Sequence, residues 1–262
     1  MRDVTQGTLG IRYSDSGTGP ATLLLHAFPL DGRMWNSQAA AFAVDHRLIV
    51  PDMPGFGSAQ LPDGTPSIDD LANAIVTYCK SGGVERPLVA GCSMGGYIAL
   101  AIARLHPAFA GGFALVDTRA TADSQDGKRA RYEMVERARH EGAGFLQQTS
   151  PPVSAETASQ RPEAVAFIKS MMNDATAAGI MVAQRAMASR KDSRAVLGTI
   201  RVPVAVIHGT DDPVVALTEG QAMASAIKGS TFVPIAGAGH LSPVEAPDEV
   251  TAAIRRLAEA IA

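Results

Sequence analysis

Six short runs of almost unbroken apolar residues set the tightest limit on how this chain folds: "ATLLL" (21–25), "LIVPD" (48–52), "PLVAG" (87–91), "FALVD" (113–117), "PVAVIHG" (203–209) and "TFVPIA" (231–236). A strand with one wet face alternates apolar and polar residues, whereas a strand covered on both faces reads as a continuous apolar run. Helical patterns lie between the runs. Residues 67–80 bring Leu71, Ile75 and Tyr78 to one side and pair Ser67 with Asp70 as a capping box. A second helix begins just after Ser93 and stops before Pro107. Buried strands in alternation with helices predict an α/β fold, with a mostly parallel central sheet and helices on both faces. The opening "LGIRYSDSGTG" is expected as an exposed antiparallel edge hairpin, and "PDEVTAAIRRLAEAIA" as a closing amphipathic helix.

The alternation breaks once. From Arg119 to Thr199 helix-like sequence runs on with no convincing buried strand, too long for one crossover. The expected organisation is a core of residues 1–118 and 200–262 with a helical cap inserted at 119–199. Half of the ten methionines fall in this insertion: Met134, Met171, Met172, Met181 and Met187. Thioether side chains adapt to irregular apolar shapes, so they suit either a cap lining a ligand pocket or gaps between cap helices. The charges of "GKRARYEMVERARHEG" alternate in sign, as on a solvated face.

Composition narrows the partners. With 262 residues, 46% hydrophobic and 19% charged, the chain can bury one large core. A net charge of −3 provides no basic field for nucleic acid or an anionic membrane, so small neutral or weakly charged molecules are the expected partners. No apolar stretch reaches roughly 18 residues, and "MRDVTQGTLG" lacks the apolar centre of a secretory signal. A cytoplasmic location is therefore expected. The two cysteines, Cys79 and Cys92, form neither a disulfide framework nor a metal-ligand spacing, and are expected as small buried side chains.

Ser93, in "GCSMGG" after "PLVA", opens a helix directly behind a core strand. That turn lies at the carboxyl edge of the sheet, where open α/β folds take ligands. So tight a turn strains its central residue by about 1 to 3 kcal/mol and crowds its neighbours, which Gly91 and Gly95 relieve. It presents the hydroxyl above the sheet, with a helix amino terminus beneath it to stabilise negative charge. A dinucleotide loop needs GxGxxG, and Ser93 occupies its second glycine; "PGFGS" (54–58) has neither a third glycine nor a following lysine. No nucleotide cofactor is implied.

Gly91, Cys92, Ser93, Met94 and Gly95 spell GxSxG, and here the chain resembles the α/β-hydrolase fold family. A serine hydroxyl needs a base and a group that orients the base, which this family supplies in the order serine, acid, histidine. The resemblance identifies His240, in "PIAGAGHLSPVEAP", as the base. The resemblance also places the acid at Asp212, three residues after Gly209, as is common in the family; Asp211 beside it and Asp117, at the end of "FALVD", are the alternatives. Of the other histidines, His46, His106 and His140 are expected to be solvated and His208 structural. "HAFPLDGRMW" resembles the family's HGxP segment, with Ala27 where glycine is usual. Pro29 has no N–H, so the resemblance implies an oxyanion hole built by the backbone amides of Phe28 and Met94. Trp35 and Leu241, with Phe28 and the cap methionines, are candidate substrate-pocket walls.

Together "HAFPLDGRMW", "PDMPGFGSA", "GCSMGG" and "GHLSPVEAP" are most similar to small carboxylesterases and enol-lactonases such as 3-oxoadipate enol-lactonase. The activity implied is hydrolysis of small carboxylic esters or lactones through an acyl-enzyme on Ser93, with no metal or organic cofactor. Carbon–carbon bond hydrolase and perhydrolase chemistry on the same three residues, or a non-catalytic ligand-binding protein on this fold, are the alternatives.

Overall fold

The computed structural model describes residues 2–5 and 9–261. Each apolar run forms a strand. The eight strands are β1 (Arg2–Thr5), β2 (Arg12–Ser16), β3 (Ala21–Leu25), β4 (Arg47–Asp52), β5 (Leu88–Cys92), β6 (Gly112–Val116), β7 (Val204–Gly209) and β8 (Thr231–Ile235). They form one sheet in the order β1-β2-β4-β3-β5-β6-β7-β8. β1 and β2 run antiparallel, and every pairing from β4 to β8 is parallel. Parallel strands end on one side, so the loops after β3, β5, β7 and β8 meet along one rim.

Eleven α-helices accompany the sheet among the described residues: α1 (Asn36–Phe42), α2 (Ile68–Ser81), α3 (Met94–Leu105), α4 (Gln125–Glu141), α5 (Ala155–Gln160), α6 (Pro162–Asp174), α7 (Ala177–Ala188), α8 (Arg194–Leu197), α9 (Leu217–Ala226), α10 (Ser242–Glu245) and α11 (Pro247–Glu259). The capping box of α2 forms, with Ser67 Oγ accepting from Asp70 N and the Asp70 carboxylate accepting from Ser67 N. α3 follows Ser93 directly and is buried from Met94 to Ala103, which fixes the base of the turn that carries the serine. The expected closing helix is α11; residue 262 of that stretch lies outside the described residues.

Two strand expectations need correction. "LGIRYSDSGTG" is antiparallel as expected but supplies one strand and not a whole exposed hairpin: β2 lies between β1 and β4, with Tyr13 buried and stacked on Tyr78 at 3.7 Å, and β1 holds the edge. "TFVPIA" is apolar after its threonine, yet β8 is an edge strand with Thr231 and Pro234 exposed. Pro234 has no N–H to offer a further strand, which suits an edge. One histidine also departs from expectation. His46 is buried, pairs through Nδ1 with Thr22 Oγ1 at 2.9 Å, and burial lowers its pKa below the ordinary imidazole value. His140 is exposed, and His106 is half-exposed with Nε2 at 2.8 Å from Asn73 Oδ1.

Five helices, α4 to α8, stand between β6 and β7, with no strand among them. The ends of this segment are stitched together: Ser193 N donates to Ala120 O at 2.8 Å and Arg190 Nη2 to Thr121 O at 2.9 Å. Beside the stitch, the Asp123 carboxylate, 1% exposed, accepts from Arg119 and Arg190, both at 2.7 Å, and from Arg131. Arg190 also lies over the Tyr97 ring on α3, 4.1 Å from its centroid. Burial opposes ionisation of Asp123, but the hydrogen bonds and charges of Arg190 and Arg131 outweigh it and hold the carboxyl well below its ordinary range.

A second buried carboxylate ties the rim. Asp117, directly after β6, accepts from Gly209 N and Ser242 N, each at 2.9 Å, and so joins the ends of β6 and β7 to α10. Two backbone amides and the weakly donating Cys92 thiol, with Sγ at 4.0 Å, face its charge with no cation bonded to it among the described residues, and burial pushes its pKa up to about 7.

These two carboxylates predict opposite pH dependences of stability. The raised folded-state pKa of Asp117 means that its contribution declines as pH rises from 3.8 to about 7. Asp117→Asn is expected to gain on wild type across that window. The depressed pKa of Asp123 means that its contribution is complete at neutral pH and is lost as pH falls below the ordinary carboxylate value of 3.8. Asp123→Asn is expected to cost about 3 to 5 kcal/mol at neutral pH by stranding buried guanidinium groups, with the gap closing in acid. Urea denaturation over a pH series measures both, and variant curves parallel to wild type would refute the assignments.

Candidate active site

The turn after β5 places Ser93 at φ +51°, in the left-handed region that costs a side chain about 1 to 3 kcal/mol. Two close approaches enforce it. A Cβ on Gly91 would lie 2.3 Å from Gly95 O, and one on Gly95 would lie 2.1 Å from Leu25 O on β3. Ser93 N donates to Val116 O at 2.9 Å, and Ser93 O accepts from Thr118 Oγ1 at 2.9 Å, so β6 and its following residues hold the turn from the other side.

His240 comes from the loop after β8 and Asp212 from the loop after β7. His240 Nδ1 lies 2.8 Å from Asp212 Oδ2, and its Nε2 lies 2.8 Å from Ser93 Oγ. An ionised carboxylate only accepts, so Nδ1 carries the proton and Nε2 is left to accept from the serine hydroxyl. The Asp212 side chain is fully buried, and its other oxygen accepts from Val214 N at 2.7 Å and Val215 N at 2.9 Å. His208 packs beside it, with Nε2 at 3.0 Å from Val215 O and 3.4 Å from Asp212 Oδ2. Of the alternatives to Asp212, Asp211 is exposed, and the Asp117 carboxylate is taken up by the amides of Gly209 and Ser242.

The loop after β3 brings Phe28 to the same rim. His26 anchors it: Nε2 accepts from Met53 N at 2.8 Å, Nδ1 donates to Ala27 O at 2.9 Å, and burial lowers its pKa, so the ring is neutral. The Phe28 ring is half-buried and meets Phe56 edge-on, with centroids 5.9 Å apart at 85°. Met94 is the first residue of α3, where the helix leaves the amide without an internal acceptor. Among the described residues, neither the Phe28 nor the Met94 amide donates to a protein acceptor. Trp35 and Leu241 both belong to the core, at 0% and 1% exposure. Met171, Met172 and Met187 are buried, while Met134 and Met181 are partly buried against the core.

Cys92 is fully buried beside Asp117, and burial drives its thiol pKa up; Cys79 is raised to about 12 by the same cause. Both thiols are therefore protonated and poor nucleophiles. Among the described residues, no group of three or more His, Cys, Asp or Glu side chains is arranged to hold a metal ion, and no helix is long and apolar enough to cross a membrane.

Glu245 escaped the sequence reading. Its buried carboxylate accepts from Gly239 N, Leu241 N and Ser154 N, each at 2.9 Å. The signal was present in "HLSPVEAP", where one acid stands alone in an apolar, proline-bounded turn.

Comparison with known proteins identifies the family of the fold. Residues 22–253 match the alpha/beta hydrolase family. The 3-oxoadipate enol-lactonase 1 of Acinetobacter baylyi is 28% identical over 244 residues, covering 92% of this chain and 90% of that protein. A thermophilic esterase from Thermogutta terrifontis, solved with malate bound, superposes with a TM-score of 0.94 at 36% identity, covering 100% of this chain and 99% of the esterase. The enol-lactonase from Burkholderia xenovorans superposes with a TM-score of 0.87 at 26% identity, over 95% of this chain and 96% of that one. The chain belongs to the alpha/beta hydrolase family, in the branch that holds small esterases and enol-lactonases.

Proposed function

We propose that this protein hydrolyses small carboxylic esters or lactones through an acyl-enzyme on Ser93. One observation carries the reading: a serine hydroxyl, an imidazole and a buried carboxylate stand in line, with consecutive separations of 2.8 Å, at the carboxyl rim of the sheet. In this mechanism His240 Nε2 takes the Ser93 proton as Oγ attacks the carbonyl carbon, and Asp212 holds the imidazole in the required tautomer and stabilises its positive charge. The oxygen that becomes negative is received by the amides of Phe28 and Met94, aided by the amino terminus of α3. Collapse of the tetrahedral intermediate breaks the bond to the alcohol oxygen, which takes the proton back from His240. Water, deprotonated by the same imidazole, then releases the acid and restores Ser93. With a lactone, the alcohol remains tethered to the acyl group through the first half of the cycle and leaves with it in the second.

In this reading residues 119–199 act as a cap over the core of 1–118 and 200–262. The half-buried Phe28 is the wall residue best supported, since its backbone serves the oxyanion and its ring remains partly open. Trp35 and Leu241 are so enclosed that they shape the pocket only from behind. The enol-lactonase and esterase relatives favour a small ester or lactone over a carbon–carbon bond as the substrate.

Two expected outcomes test this function. A fluorophosphonate should label wild type and not Ser93→Ala, and that variant should lose hydrolysis of short nitrophenyl esters and lactones by at least about 10⁴-fold. An unlabelled wild type, or an active Ser93→Ala, would sink the proposal. Asp212→Asn should lower kcat on the order of 10⁴-fold with little change in KM, because the imidazole is left in the wrong tautomer; steady-state kinetics showing wild-type kcat would reassign the acid.

A further inference from the structure

His240 does not hold itself in place. Its loop leaves β8 with no helix or strand of its own until α10, and four consecutive amides there are bound by groups from elsewhere. Gly239 N donates to Glu245 Oε2 at 2.9 Å, His240 N to Pro152 O at 3.0 Å, Leu241 N to Glu245 Oε1 at 2.9 Å and Ser242 N to Asp117 Oδ2 at 2.9 Å. Glu245 therefore grips the residues on both sides of the imidazole, one with each oxygen. The oxygen that holds Gly239 also accepts from Ser154 N at 2.9 Å, and Ser154 is the N-cap of α5, within the segment between β6 and β7. A carboxylate 5% exposed with three amide donors is fully engaged, and it touches none of the reacting atoms.

The two loops are also pressed together without side chains between them. A Cβ on Gly239 would lie 2.4 Å from Ser154 N and 2.6 Å from the Val153 carbonyl carbon. The glycine next to the imidazole lets the backbone of residues 152–154 dock against it. Arg161, at the end of α5, closes the far side by donating to Glu245 O.

We propose that Glu245 is a positioning residue for His240, and that through it the docking of Pro152–Ser154 is coupled to the alignment of the imidazole with Ser93. The proposal rests on the reading of Ser93, His240 and Asp212 as the reacting groups. A misplacement of about 1 Å at a catalytic group costs on the order of 100-fold in rate, so a loop freed from its clamps loses rate before it loses binding.

The test uses Glu245→Ala, Glu245→Gln and Gly239→Ala in the full chain. Rates are taken on a short nitrophenyl ester per folded molecule, with the folded fraction fixed by urea denaturation. Glu245→Ala should lower kcat by about 10- to 100-fold with KM changed less than about threefold. Glu245→Gln keeps one acceptor oxygen and should fall between it and wild type. Gly239→Ala leaves Glu245 intact and forces residues 153 and 154 away, and should lower kcat in the same sense. Proton NMR supplies a readout that a purely structural role does not move: the Nδ1 proton of His240, held against Asp212, should give a downfield signal in wild type that broadens through solvent exchange in Glu245→Ala. Wild-type kcat and a wild-type Nδ1 signal in Glu245→Ala would overturn the proposal, and wild-type kcat in Gly239→Ala would overturn the coupling to Pro152–Ser154. A wild type that takes no fluorophosphonate overturns the reading of the reacting groups, and this proposal with it; labelled wild type with unaffected variants overturns this proposal alone.

Discussion

A carboxylate removed from water must be answered by donors, and Asp212 is wholly enclosed. One oxygen is satisfied by the amides of Val214 and Val215, which curl the chain back after β7, and the other faces the His240 Nδ1 proton. If the imidazole left, a buried charge would lose the short bond at 2.8 Å and keep on that oxygen only His208 Nε2, 3.4 Å away and already turned to Val215 O. The pairing therefore fixes the tautomer of His240, and with it the direction of the lone pair that meets Ser93. The geometry at the serine follows from satisfying a charge two groups away.

Ser93 is held by a different kind of force. Its backbone is strained, and the strain persists because neighbouring backbones leave no room for another conformation: Gly91 against Gly95, and Gly95 against Leu25. Core strands on both sides of β5, with α3 beneath, make the turn part of the most deeply packed region. The hydroxyl is thus rigidly sited by packing, the imidazole by electrostatics and hydrogen bonds. Neither arrangement needs the other's elements to be adjacent in sequence.

Much of this was legible in the chain because it depends on local pattern. Continuous apolar runs announce strands buried on both faces, and the runs at 21–25, 87–91, 113–117 and 203–209 became such strands. The run at 231–236 misled, since an edge strand covered by α9 and α11 can be as apolar as an interior one, and only pairing reveals that a side is free. The opening hairpin misled for the converse reason: Arg12, Ser14 and Ser16 alternate with buried residues as on a half-wet strand, which says nothing about lateral neighbours. In the site, glycine spacing and chain order singled out Ser93, Asp212 and His240, whereas the bond of Glu245 to Ser154 and that of Asp123 to Arg190 join residues about 90 and 70 positions apart, which no local pattern encodes.

That division has a consequence for how the molecule works. Elements that pattern predicts, the parallel strands and α3, carry Ser93 and the amide of Met94, and they cannot shift without breaking the core. Elements that pattern does not predict, the docked segment 152–154 and its carboxylate clamp, hold the loop of His240. The segment between β6 and β7 meets the core at several points, among them Thr176 Oγ1 to Gly55 O at 3.2 Å, the Arg33 to Asp174 ion pair at 2.6 Å, the contacts of Pro152 and Ser154 with the histidine loop, Thr118 Oγ1 to Ser93 O at 2.9 Å and Lys191 to Asp69 at 2.9 Å. The first two are half-buried or exposed and contribute little stability individually. The third is buried and reaches the imidazole. The segment therefore reaches both halves of the site: through Pro152 and Ser154 it holds the loop of His240, and through Thr118 it holds the turn of Ser93.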